Sequence, residues 1–241
     1  MLFRSTWDYA VAAIILAIPV FLIARQPDLG TALLVFAAGL YVIILAGLPW
    51  KWILPVIVLG VVGILLLIIF GSTICAQDVV WPFVHNYQKH RICTLLDPSS
   101  DPLGKGFHTI QSMIAIGSGG FFGKGWFQGT QAHLEFIPEK HTDFVFAVFS
   151  EEFGFIGNLI LLGLFFALIK RGLAISASGP NLFTRLLGAS VTLIFFTYAF
   201  VNIGMVSGLL PVVGVPLPFI SYGGTALVTL GLDRKSTRLN S

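Results

Sequence analysis

The sequence predicts an all-α protein, a polytopic transmembrane helix bundle with one long extracytoplasmic loop. Three observations predict it. Of the 241 residues, 56% are apolar and only 10% are charged, at a mean hydropathy of +0.91, which leaves too few polar side chains to cover a water-soluble domain. The apolar residues fall into windows that meet or approach the roughly 20 residues needed to cross a bilayer. The polar residues, by contrast, gather into one long stretch, 71–142, and at the ends of the windows.

The first window, 8–24, leads into further hydrophobic sequence without a small-residue cleavage site, so it reads as a span and not as a cleaved signal peptide. The second runs 30–48 and the third 52–70. The fourth, 143–171, is either one long helix or two pieces. The fifth covers 184–204. An irregular sixth, 209–232, carries Pro211, Pro216, Pro218, Gly223 and Gly224. Broken backbone at membrane depth is tolerated only against protein or a water-filled cavity, which implies a cavity open to the outside. Residues 1–232 therefore form one membrane domain.

Orientation follows from the short connections. Lys51, and then Lys170, Arg171 and Arg185, mark one side as cytoplasmic, and Arg4 agrees. The 71–142 loop and the turn at Gln26 to Gly30 then face outward. Cys75 and Cys93 both lie in that loop, where an oxidising side would allow a disulfide, and two unrelated thiols are the alternative. The net charge of +3 is scattered at segment ends and forms no basic stripe, so membrane anchoring explains it and nucleic acid does not.

Within the loop, residues 110–116 read as a short helix that lies on the membrane surface or packs on the spans. The glycine-rich run 117–126 follows. It is either a phosphate cradle or a set of tight turns.

Asp143 follows His141 and Thr142 at the start of the fourth span, close to the outer interface. Helix capping is the ordinary role for such a residue, but Glu139, Lys140, His141 and the Glu151–Glu152 pair accompany it. Helical rise puts Glu151 about 12 Å below Asp143, so that the two could line one cavity. The predominantly apolar stretch 153–169, of 17 residues, covers about 26 Å and leaves Glu151 near the outer hydrocarbon boundary. Ionisable groups at that depth are functional by default, with snorkelling as the competing explanation. Asp28 is either a turn residue or part of the same outer rim. The five histidines share no ligand spacing, and no nucleophile elbow is present, so the site residues include no metal ligands. From the residues alone, an enzyme acting on a lipid-linked anionic substrate and a transporter remain equally open.

The ordered stretches Gln26-Pro-Asp-Leu-Gly-Thr31, Leu96-Asp-Pro-Ser-Ser-Asp-Pro-Leu-Gly104, Ile110-Gln-Ser-Met-Ile-Ala-Ile-Gly-Ser-Gly-Gly120 and Gly123-Lys-Gly-Trp126 resemble the SEDS family (shape, elongation, division and sporulation). So do Leu134-Glu-Phe-Ile-Pro-Glu-Lys-His-Thr-Asp-Phe144, Asn202-Ile-Gly-Met-Val-Ser-Gly208, Pro211-Val-Val-Gly-Val-Pro-Leu-Pro218 and Ser221-Tyr-Gly-Gly224, with a bias to the cell-elongation branch. The resemblance covers only the C-terminal half of the family's membrane domain, and residues 233–241 have no match in it. It implies a peptidoglycan glycosyltransferase of the bacterial cytoplasmic (inner) membrane, polymerising lipid II on the outer face during elongation and rod-shape maintenance. A class B penicillin-binding protein and other elongation-complex membrane proteins are the implied partners.

Asp143 corresponds to the family's essential carboxylate and is expected to be the catalytic base or to orient it. Lys124 and Lys140 are expected on phosphate and Asp28 at the cavity wall, with His141, Glu151 and Ser221 as further substrate-binding candidates. A divalent cation, Mg or Mn, is the alternative to lysine at the pyrophosphate. Two other readings stand beside the polymerase: a flippase or transporter for the lipid-linked precursor, and an inactive scaffold. A flippase needs polar residues continuing towards the cytoplasm, and the spans offer few below Glu152, which favours the enzyme.

Overall fold

The computed structural model describes residues 6–26, 28–75, 86–97, 104–130 and 142–222. Lys140, His141, the stretch 223–232 and the tail 233–241 lie outside them. Among the described residues, regular structure is entirely helical: α1 Thr6–Arg25, α2 Leu29–Leu45, α3 Trp50–Ile74, α4 Asn86–Leu96, α5 Lys105–Ser118, α6 Val145–Ala177 and α7 Leu182–Val206. Among the described residues, four stretches are long and apolar enough to cross a membrane: Trp7–Arg25, Trp50–Gly71, Val145–Ala177 and Leu182–Val206. Helix α2 is apolar but shorter. The expected irregular segment is non-helical from 207 to 222. Helix α4 was not expected, because Gln88, Lys89, His90 and Arg91 interrupt any apolar periodicity in its sequence.

The chain divides into two compact units, Met1–Phe107 with Ile169–Ile194, and His108–Leu168 with Phe195–Ser241. In the first, α1 packs on α2, where Gly39 admits Leu16: a Cβ on Gly39 would come 2.4 Å from Leu16 Cδ1. Tyr9 Oη donates to Gly47 O at 3.1 Å and ties α1 to the turn that ends α2. At the other end of α2, Asp28 is the N-cap. Its Oδ1 accepts from Thr31 N at 3.0 Å and its Oδ2 from Thr31 Oγ1 at 2.6 Å. A disulfide between Cys75 and Cys93, with 5.7 Å between Cα atoms, fastens α4 to the end of α3, and Leu96 of α4 rests on Gly71. Of the two states open for these thiols, the structure has the paired one. The last turns of α6 and the first of α7 meet through small residues, Gly172 against Thr192 and Gly188 against Ser176. Such residues let helix backbones approach closely in lipid. Asn181 caps α7 by accepting from Thr184 N at 3.0 Å.

In the second unit, Ala115, Phe144, Phe146, Phe165, Met205 and Leu217 belong to one buried apolar cluster. Ala115 and Ser112 are fully buried, so α5 packs into this unit and does not simply lie on a surface. Helix α7 ends at Val206; the carbonyl of Gly204 in its last turn accepts from Leu209 N and Leu210 N, and Gly208, at φ +74°, turns the chain back over Met113.

Candidate functional site

Two neighbouring stretches of the second unit carry the candidate residues. The first is built on a break in α6. Gly154 has φ +64° and ψ −162°, so the helix is two pieces joined at that residue. In an unbroken helix, Phe155 N–H would bond Glu151 O and Ile156 N–H would bond Glu152 O. The break frees these four groups, and leaving them bare in an apolar setting costs several kcal/mol in all. The glycine-rich run takes up all four. Lys124 N donates to Glu151 O at 2.9 Å and Gly125 N to Glu152 O at 3.0 Å. In the reverse sense, Phe155 N donates to Gly120 O at 2.9 Å and Ile156 N to Phe121 O at 3.1 Å.

The glycines make this contact possible. A Cβ on Gly119 would lie 2.1 Å from Ser150 O, and one on Gly123, at φ +80°, would lie 2.0 Å from Glu152 O. Of the two readings of the glycine-rich run, the structure therefore has the tight turns, docked on a helix break. Gly154 is the residue that sequence reasoning overlooked. Its only signal was a glycine two residues past a pair of glutamates, inside an apolar window.

Glu151 is fully buried. Its Oε1 accepts from Lys124 Nζ at 2.6 Å, Thr130 N at 2.9 Å and Thr130 Oγ1 at 3.0 Å, with Ser118 Oγ at 3.4 Å. Lys124 Nζ also donates to Thr130 Oγ1 at 2.8 Å. The cation expected on phosphate is thus held by a carboxylate, although its side chain keeps 28% exposure. Thr130 and Ser118 carried no sequence signal. The aromatic residues of the loop, Phe121, Phe122, Trp126 and Phe127, are exposed, and Trp126 packs edge-on against Phe153 at 5.6 Å.

The second stretch holds Asp143. It lies in the turn before α6, half-buried, and its backbone is anchored on both sides. Asn202 Nδ2, fully buried, donates to Asp143 O at 2.8 Å and to Val215 O at 2.6 Å. Ser221 Oγ donates to Thr142 O at 2.5 Å and accepts from Leu217 N at 2.7 Å. Gly214, at φ +77°, lies against the carboxylate: a Cβ there would be 3.2 Å from Asp143 Oδ2. The irregular segment after α7 therefore forms a backbone cradle that sets where Asp143 stands. Asp28 belongs to the other unit, where it is exposed. Its hydrogen bonds to Thr31, with a lesser pull from Arg91, hold its carboxyl below the ordinary value of 3.8. Among the described residues, no three His, Cys, Asp or Glu side chains come together in the manner of a metal site.

Residues 2–232 match the cell cycle protein family model FTSW_RODA_SPOVE. The chain is similar to the peptidoglycan glycosyltransferase MrdB of Escherichia coli (strain K12), 53% identical over 227 residues that make up 94% of this chain and 58% of that protein. It is also similar to the peptidoglycan glycosyltransferase RodA of Treponema pallidum (strain Nichols), at 32% identity over 92% of this chain and 65% of the relative. Among solved structures, it matches one described as "Structural coordination of polymerization and crosslinking by a peptidoglycan synthase complex" with a TM-score of 0.70 at 37% identity, covering 96% of this chain and 62% of the other. The crystal structure of the Thermus thermophilus rod shape determining protein RodA matches with a TM-score of 0.58 at 31% identity, over 95% of this chain and 56% of that one. The chain thus spans a little over half the length of the curated relatives it matches.

Proposed function

This chain belongs to the FTSW_RODA_SPOVE family of cell cycle proteins, the SEDS family of its motifs, and from that premise we propose that the intact protein is a peptidoglycan glycosyltransferase polymerising lipid II during cell elongation. The names of its relatives support the reaction. The observation that carries the proposal to a residue is the anchoring of Asp143. Asn202 and Ser221 hold the backbone of residues 142 and 143 in place, outside the helix, with the carboxylate beside Gly214.

In the proposed step, the acceptor sugar's 4-hydroxyl attacks the anomeric carbon of the donor chain. The new glycosidic C–O bond forms as the bond to the undecaprenyl pyrophosphate oxygen breaks, with inversion, and the hydroxyl proton passes to the Asp143 carboxylate. Cations offset the charge that develops on the leaving pyrophosphate. Lys140 and His141, next to Asp143 in sequence, are proposed for this role. Lys124 contributes the N–H that Glu151 and Thr130 leave over, since an ammonium has three donors. A divalent cation, Mg or Mn, is the alternative counter-charge. Ser221 enters by placing Thr142, and Asp28 is proposed as an outer wall residue.

The site is proposed on the outer face of the bacterial inner membrane, where an oxidising compartment would form and keep the Cys75–Cys93 disulfide. A class B penicillin-binding protein is the proposed partner, supported by the match to a complex that couples polymerisation to crosslinking. Other elongation-complex membrane proteins are proposed beside it. The test is lipid II polymerisation by the family-length protein carrying these residues, with that partner, comparing the parent with Asp143→Ala. Loss of glycan chains with folding and partner binding retained is the expected result. Undiminished polymerisation would remove Asp143 from the chemistry and bring the flippase and scaffold readings forward.

A further inference from the structure

The glycine-rich run is attached to α6 in two ways that depend on different atoms. Residues 120–125 are held by backbone hydrogen bonds to the break at Gly154 and need no side chain. Thr130, at the far end of the following turn, is held by one carboxylate oxygen of Glu151, which accepts both its N–H and its hydroxyl. Gly129 lets the chain come close enough, since a Cβ there would lie 2.9 Å from Glu151 Oε2. In sequence, the chain from Thr130 leads to Thr142 and Asp143, whose backbone carbonyls are fixed by Ser221 and Asn202. Glu151 holds Thr130 together with Lys124, the cation proposed above for the leaving pyrophosphate.

A fully buried carboxylate is costly to desolvate and persists where several donors satisfy it, as Lys124 Nζ and both Thr130 donors do here. Glu151 meets no requirement of the proposed chemistry itself. We infer that Glu151 is a positioning residue for polymerisation: with Thr130 it fixes where the Lys124 ammonium stands, and so where that cation can meet the leaving pyrophosphate. The inference rests on the polymerase reading above.

The test uses the family-length protein with its penicillin-binding partner and measures lipid II polymerisation per folded molecule, with kcat and KM separated. Glu151→Ala is expected to lower kcat roughly tenfold to a hundredfold with KM little changed, in line with the cost of misplacing reacting groups by about 1 Å. Glu151→Gln is expected to recover most of the rate, because its amide oxygen still accepts from Thr130 and Lys124. Amide exchange at Thr130 should accelerate in the alanine variant and not in the glutamine one. If Glu151→Ala does not accumulate, the exposed Thr130→Val carries the test, with an expected severalfold loss in kcat.

A parent rate in Glu151→Ala or, where that variant does not accumulate, in Thr130→Val overturns the inference. So does a glutamine variant as inactive as alanine, which would place the need in the charge and not in the tether. The two readings fail differently. If the parent makes no glycan, or if Asp143→Ala makes as much as the parent, the polymerase reading falls and this inference with it. If the parent polymerises and needs Asp143 while Glu151→Ala keeps the parent rate, only the positioning role falls.

Discussion

Three glycines at the end of α5 and in the turns after it offer a graded test of the way the second unit is held together. Gly117 lies in α5 with no heavy atom within 4 Å of an added Cβ, so Gly117→Ala should leave stability unchanged or raise it by about 0.5–1 kcal/mol through helix propensity. Gly120 has φ +56° and equally open space, so Gly120→Ala costs only the left-handed strain of a Cβ, about 1–2 kcal/mol. Gly123 has φ +80° and in addition places the new Cβ 2.0 Å from Glu152 O and 2.6 Å from Phe153 C, both backbone atoms that no rotamer change can move. The loop must then lift, which releases the bonds from Lys124 N to Glu151 O and from Gly125 N to Glu152 O. At a net 0.5–1.5 kcal/mol for each bond, the total for Gly123→Ala is about 2–5 kcal/mol. That is a large part of an ordinary folding stability of about 5–15 kcal/mol. Thermal unfolding of the detergent-solubilised protein is the assay, and about 2–4 °C per kcal/mol is expected for a domain of this size. The order Gly117→Ala, Gly120→Ala, Gly123→Ala should be one of falling Tm, with the last lowered by about 4–20 °C. Equal Tm values for the Gly120 and Gly123 variants would refute the docking of the loop on the helix break.

Asn202→Leu removes the two donors that hold Asp143 O and Val215 O and should cost about 2–3 kcal/mol, read as a lower Tm, together with a loss of glycan synthesis. An unchanged Tm would refute the cradle. Asp28→Ala removes the cap of α2 and should cost about 1 kcal/mol at neutral pH. Because the folded carboxyl titrates below its ordinary 3.8, the Asp28 contribution is present above that value and lost as pH falls through the folded pKa. Parent and Asp28→Ala should accordingly converge in stability in strong acid, and a difference that persists there would refute the assignment. Maleimide should label Cys75 and Cys93 in intact cells only after reduction, and reduction should lower stability by about 3 kcal/mol for a loop of this length. Labelling without reductant would place the pair in a reducing compartment.

The spans were legible in the sequence because burial in lipid imposes a length and a composition on each one, and both survive as linear patterns. The ends of α1, α3 and α7 lie within a few residues of their apolar windows for that reason. The family was legible too, since motifs such as Ile116-Gly-Ser-Gly-Gly120 are contiguous. Helix α4 was not, because its place depends on Cys93 and Leu96 meeting Cys75 and Gly71 across 18 to 25 residues of sequence. Ionisable residues at the end of a span stand out in a sequence, and Asp143 and Glu151 were singled out in that way, whereas Lys124 and Ser221 were named through the family resemblance.

Their partners were decided only in three dimensions. Whether Lys124 serves substrate or protein depends on a carboxylate 27 residues away, at 2.6 Å. Whether glycines cradle a phosphate or dock on a helix depends on the break at Gly154, which no periodicity reveals. The anchoring of Asp143 depends on Asn202, 59 residues further on, and on a segment without regular structure. The sequence by itself determined what each stretch must avoid, which is exposing apolar surface to water or a bare backbone to lipid. Only the tertiary structure decided which distant group satisfies each one left bare, because hydrogen-bond partners are chosen by proximity in space.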